Sequence, residues 1–290
     1  MRDEIYVMVG LAPDQEPAVR QLFERIGRPD LIQSPYPAPY SFRLASPAEA
    51  ALFLSEWKAL GLGSPEPFVR WSRSYSADEL ESAPLLHLIV TRPPKGNGGP
   101  RYGTEYDLAT ACPTCGSGAR QTSPLKVKPG ELAKNGPIAQ TLTSEVLVSE
   151  ELVEQLKGAG VSGIKLWPVE SVQPGLTSPW TQVVVDFTLP RLSDRTEGIV
   201  RERPCDMCGR DGHFHTAKHP ETLRYRASDV SIDSLPDFVQ TYELFGNSAL
   251  REPMSRSVFA KPLMLVKPTV YQLLKNVKGI EFVPVELHDA

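Results

Sequence analysis

The sequence predicts an α+β protein: two pseudo-repeated strand-helix-strand units linked by a pair of cysteine knuckles, preceded by an α/β N-terminal portion. Three observations predict it. The first is a recurrence. Val146-Leu147-Val148, a helical stretch over 149–156, a glycine turn and a strand ending Pro168-Val169-Glu170 return as residues 263–266, a helical stretch over 267–274, a glycine turn and a strand ending Pro284-Val285-Glu286. The copies lie 118 residues apart through the helix and 116 at the last strand, and agreement in order over that length marks a structural repeat. The second is the alternation of short apolar runs with helical periodicity in the first hundred residues. The third is that all four cysteines sit in two Cys-x-x-Cys-Gly turns, one ahead of each unit.

Taken in order, Ile5-Tyr6-Val7-Met8-Val9 reads as a strand. Residues 15–26 read as a helix, because Val19, Leu22, Phe23 and Ile26 recur on one face. Gly27-Arg28-Pro29 stops it. Pro35, Pro37 and Pro39 stiffen the next link and exclude a central strand there. Ser46-Pro47-Ala48-Glu49 opens a second helix with a polar cap, a first-turn proline and an acid, and Leu52, Phe53 and Trp57 are expected to face its core. Short strands are expected over 68–71 and 85–90. The proline- and glycine-rich stretch over 92–100 reads as a loop or linker, giving an N-terminal α+β portion over 1–100 and a double-knuckle portion over 101–290, as two closely joined domains or one continuous domain. Thr181-Gln182-Val183-Val184-Val185 is a further strand, residues 223–230 hold a short extended piece, and Leu235-Pro236-Asp237-Phe238 is expected to start a short helix running through Tyr242 and Phe245.

At 290 residues and 32.0 kDa the chain is long enough to bury a sizeable core. A formal charge of -4 supplies no general electrostatic reason to seek nucleic acid, although local basic patches stay possible. No apolar run approaches the length of a membrane span, and the N-terminus lacks the pattern of a secretory signal, so a cytoplasmic, reducing location is expected. Reduced thiols suit that location better than disulfides.

Cys112-Pro113-Thr114-Cys115-Gly116 and Cys205-Asp206-Met207-Cys208-Gly209 lie 93 positions apart. A two-residue spacer turns both thiolates of a pair toward one ion, and the glycine permits the tight return. Four thiolates in two pairs suit a single tetrahedral zinc held by Cys112, Cys115, Cys205 and Cys208, a closed structural site that ties two distant segments together. Other readings stay open. His213, His215 or His219 could join a mixed shell or hold a second metal, the first knuckle could be a redox pair, and the pairs could be reduced and metal-free. His87, between apolar segments, reads as a satisfied core or sheet-edge residue. Trp57, Trp71, Trp167 and Trp180 read as core packing. No nucleophile elbow or phosphate loop supports a catalytic assignment.

In its two Cys-x-x-Cys-Gly turns the chain resembles the myxobacterial double-CXXCG motif family, over nearly its whole length. Cys112, Cys115 and Gly116 match the first motif and Cys205, Cys208 and Gly209 the second. Some members of that family look like cytoplasmic immunity proteins paired with contact-delivered toxins. The resemblance therefore implies a non-enzymatic inhibitor that binds a toxin domain and hides its active surface. An adaptor or regulator of a signalling protein such as a small GTPase is the second expectation, and a hydrolase built on His213, His215 or His219 the third.

Overall fold

The structure is a computed structural model that describes residues 1–10, 13–32, 40–62, 67–91, 98–114, 117–128, 132, 136–201, 205–210, 213–215, 220–245 and 260–289. Cys115, Gly116, His219, the Pro35–Pro39 link and the glycine-rich stretch at 95–97 lie outside the described residues. The fold is α+β, in two units: one is Met1–Ser76, the other Ala77–His215 with Glu221–Ala290.

In the first unit β1 (Arg2–Val9) pairs antiparallel with β2 (Tyr40–Leu44) on one side and β3 (Phe68–Ser74) on the other. Alternation along β1 buries Ile5, Val7 and Val9 and leaves Glu4 and Tyr6 exposed, as a sheet with one wet face requires. Helices α1 (Glu16–Arg25) and α2 (Pro47–Ala59) supply Val19, Leu22, Phe23, Phe53 and Trp57 to the same core. Phe23 meets Phe42 edge to face with centroids 5.1 Å apart. The start of α2 is capped reciprocally, in a variant of the capping box shifted by one residue. Ser46 Oγ accepts from the Glu49 amide at 3.1 Å, and the Glu49 carboxylate accepts from the Ala45 amide. Leu52 departs from expectation: it is exposed, and Ala50 takes the buried place one turn away from Phe53.

The second unit begins with α3 (Ala77–Ser82) and holds two five-stranded sheets. One has the order β7-β10-β11-β9-β8, from Leu125–Val127, Ile164–Ser171, Trp180–Val185, Val146–Ser149 and Ile138–Gln140. The other has the order β14-β17-β4-β16-β15, from Arg224–Arg226, Ile280–His288, Leu85–Val90, Met264–Val266 and Phe238–Gln240. In each sheet the first pairing is parallel and the other three are antiparallel. Helix α4 (Glu150–Gly158) links β9 to β10, and α5 (Pro268–Leu274) links β16 to β17. β4, grouped by sequence with the N-terminal portion, is the middle strand of the second sheet.

One core joins the two sheets and their helices, with Val148, Leu152, Leu156 and Val183 packed in the same cluster as Leu88, Val266, Val270 and Leu274. Each sheet has a further apolar cluster of its own. The helix expected to begin at Leu235 is absent: Phe238, Val239 and Gln240 form β15, antiparallel to β16. Phe238 and Val239 are both buried, in different clusters, so the segment is clamped between two apolar environments. That demand overrides the helix-start look of Pro236-Asp237.

Candidate metal centre

Each knuckle sits at the end of a short antiparallel hairpin. β5 (Tyr106–Asp107) pairs with β6 (Arg120–Gln121) around the first, and β12 (Ile199–Arg201) with β13 (His213–His215) around the second. The turns close by backbone bonds: the Cys112 amide donates to the Ser117 carbonyl and the Gly209 amide to the Cys205 carbonyl, both at 2.7 Å. Gly209 has φ +63°, a conformation with little cost for glycine alone, which explains the residue after the second cysteine.

The two hairpins bring together thiols that are remote in sequence. Cys112 Sγ and Cys205 Sγ are 3.9 Å apart, and the Sγ atoms of Cys112, Cys205 and Cys208 all lie within 4.8 Å of one another. None of the three is in a disulfide. Bonds of about 2.3 Å to a tetrahedral ion put neighbouring sulfurs about 3.8 Å apart. The thiol spacing therefore fits a metal, and the three thiols among the described residues are donors that soft cations select. Cys205 is buried, Cys112 and Cys208 are half-buried, and Met207 between them is 65% exposed. The Thr114 hydroxyl donates to Met207 Sδ at 3.6 Å, so the two turns touch at a second pair of matching positions. Of the sequence-predicted ligands, three converge and Cys115 lies outside the described residues. His213 and His215 stand on β13, of which the backbone alone is described.

Contacts that sequence reasoning missed hold these hairpins in place. Gln121, at the foot of the first, exchanges amide hydrogen bonds with Gln182 on β11 at 2.8 and 2.9 Å. Just beyond the second, Glu221 bonds His87 Nδ1 at 2.6 Å, with both side chains buried. His87 is thus a satisfied core residue on a middle strand, not at a sheet edge. Arg210, immediately after the second knuckle, donates from Nε and Nη2 to the Tyr242 carbonyl at 3.1 and 2.9 Å and lies 4.3 Å from the centroid of the Tyr242 ring. The only local signal for any of these was a polar residue inside an apolar run, at Gln182 and His87.

Two further buried carboxylates among the described residues lie away from the knuckles. Glu145 accepts from the Thr141 and Thr143 hydroxyls and pairs with Lys261 at 3.2 Å. Glu243 accepts from the Leu192 amide at 3.0 Å, and burial pushes its carboxyl up from the ordinary range. A cleft of about 830 Å³ beside α4 and the end of α5 is lined by Glu151, Gln155, Asn276 and Lys278 among others, and no knuckle residue lines it. No helix among the described residues is long and apolar enough to cross a membrane. No family model matches the chain, and no curated protein matches it.

Proposed function

We propose that this chain is a non-enzymatic, zinc-stabilised protein-binding module of the double-CXXCG kind, acting in the cytoplasm as an immunity protein that sequesters a cognate toxin domain. The observation that carries the reading is the convergence of Cys112, Cys205 and Cys208 from two hairpins. Cys115, spaced from Cys112 as Cys208 is from Cys205, would complete four thiolates around zinc. A closed sulfur shell leaves no coordination position for a substrate or an activated water, which supports a structural metal over a catalytic one. Zinc would hold the hairpins rigid and so fix the surface around them. That surface offers exposed apolar side chains at Leu108, Val200 and Met207, the kind of area that protein partners bury. The net negative charge favours encounter with a basic partner.

Capture of the full-length tagged chain from its native cells, followed by identification of what co-purifies, tests the assignment. The expected result is a toxin domain whose activity the pure chain suppresses at equal molar ratio. Recovery of a signalling protein such as a small GTPase, with no toxin, would replace immunity with regulation. A metal-bound water beside an acidic side chain, with turnover of a substrate, would overturn the non-enzymatic reading.

A further inference from the structure

We infer that the second unit is two copies of one motif, Leu85–Ser171 and Trp180–His288, that have exchanged their leading strands, so that each sheet is a slot filled by the other copy. Along the chain the copies run in the same order: a leading strand (β4 or β11), a knuckle hairpin, three short strands, a helix (α4 or α5) and a long final strand (β10 or β17). Each leading strand is seated in the other copy's sheet. β4, which opens the first copy, lies between β17 and β16 of the second; β11, which opens the second, lies between β10 and β9 of the first.

The registers make the equivalence specific to the residue. A row across the first sheet reads Pro168, Thr181, Val148, Ile138. The matching row across the second reads Pro284, Leu86, Val266, Phe238. On the parallel side Glu170 faces Lys126 and Glu286 faces Arg224. A slip of one residue in any strand would turn its side chains to the wrong face, so four pairings in common register are a strong constraint. Burial agrees. The outer cluster of the first sheet holds Leu125, Val127, Ala139, Leu147, Val169 and Trp180; that of the second holds Leu223, Tyr225, Val239, Leu265, Val285 and Leu85 at the same places. Gly163 and Gly279, at matching turns, both have positive φ, and the carbonyl of each accepts from the residue after the leading strand, Asp186 and Thr91.

The buried polar pairs have the same logic. Gln182 and His87 occupy one position on the two leading strands, and each bonds a polar residue shortly before the next strand of the copy it has entered: Gln121 at the end of β6, and Glu221 beyond β13. At the knuckles, Cys112 meets Cys205 and Thr114 meets Met207, each residue touching its own counterpart as at a two-fold axis. The exchange, together with the core the two sheets share, is therefore what joins the copies, and the metal pins the two hairpins. This goes beyond the metal reading and stands on strand pairing alone.

The test uses the full chain with a protease site inserted at Pro174-Gly175, on the exposed stretch between β10 and β11. After cleavage and chelation, size-exclusion chromatography and native mass spectrometry are expected to show both fragments in a single particle of the uncut mass, parting only in denaturant. Fragments that separate on chelation alone, each still folded, would overturn the exchange. Hydrogen exchange on the untouched chain gives a second reading. Chelation is expected to free the amides of β5, β6, β12 and β13 while β4 and β11 stay protected; loss of protection in both leading strands would also overturn it. Metal content of the uncut chain is measured separately, so failure of the metal assignment is distinguishable from failure of the exchange.

Discussion

At the scale of single residues, Asp237 is the most informative polar side chain outside the knuckles. Its carboxylate accepts from the Ser162 amide at 2.8 Å, the Ser162 hydroxyl at 2.6 Å and the Thr269 hydroxyl at 3.3 Å. Burial pushes this carboxyl up, but the Ser162 and Thr269 hydrogen bonds outweigh it and hold the group below its ordinary value. A depressed carboxylate contributes stability that is present above its unfolded pKa of about 3.9 and lost as pH falls through the lower folded value. Asp237→Asn is expected to cost about 1 kcal/mol at pH 7, less than the ~1.5–3 kcal/mol usual for charged hydrogen bonds because solvent reaches the site. Denaturant titrations should show that deficit shrinking as pH falls below the unfolded pKa and through the lower folded one; a deficit constant with pH would contradict the assignment. The cysteines were legible in the sequence because a knuckle is a local device, two thiols and a glycine in five residues. Glu221 and Asp237 were not, because their partners are 134 and 75 residues away and nothing local marks them.

At the scale of elements, turns decide where strands can meet. Gly163 has φ +86°, and a Cβ there would lie 2.2 Å from the Phe238 carbonyl oxygen. Gly163→Ala is expected to destabilise by more than about 2 kcal/mol, combining a left-handed backbone with backbone overlap. Gly175 is the control: its φ is +76° with nothing within 4 Å of a Cβ, so Gly175→Ala should cost only about 1 kcal/mol. Equal losses in thermal unfolding would show that the close approach to β15 is not what matters. Ser46→Ala should cost about 1 kcal/mol through loss of the α2 cap. That cap was readable because capping chemistry lies within four residues. The Leu235–Phe245 helix was misread for the opposite reason: β15 owes its conformation to β16, more than twenty residues further on.

At the scale of the whole molecule, the repeat we infer was legible only where the two segments keep similar sequence, in the strand-helix-strand core ending Pro-Val-Glu. The leading strands were read as strands but not as parts of the repeat, since Leu85-Leu86-His87 and Trp180-Thr181-Gln182 share little beyond a polar third residue and each serves the opposite copy. Strand exchange also changes what metal loss should do. With β4 and β11 interleaved, chelation is expected to lower the unfolding temperature while a cooperative transition remains, as followed by calorimetry; loss of the transition would assign the metal the whole fold. The central claim, one closed thiolate site shared by two knuckles, is tested most directly by native mass spectrometry of the full chain loaded with zinc, alongside Cys205→Ser. A single zinc per chain, lost in the variant, is the predicted result; two ions per chain, or a zinc that survives Cys205→Ser and departs only when His213 and His215 are replaced, would contradict it.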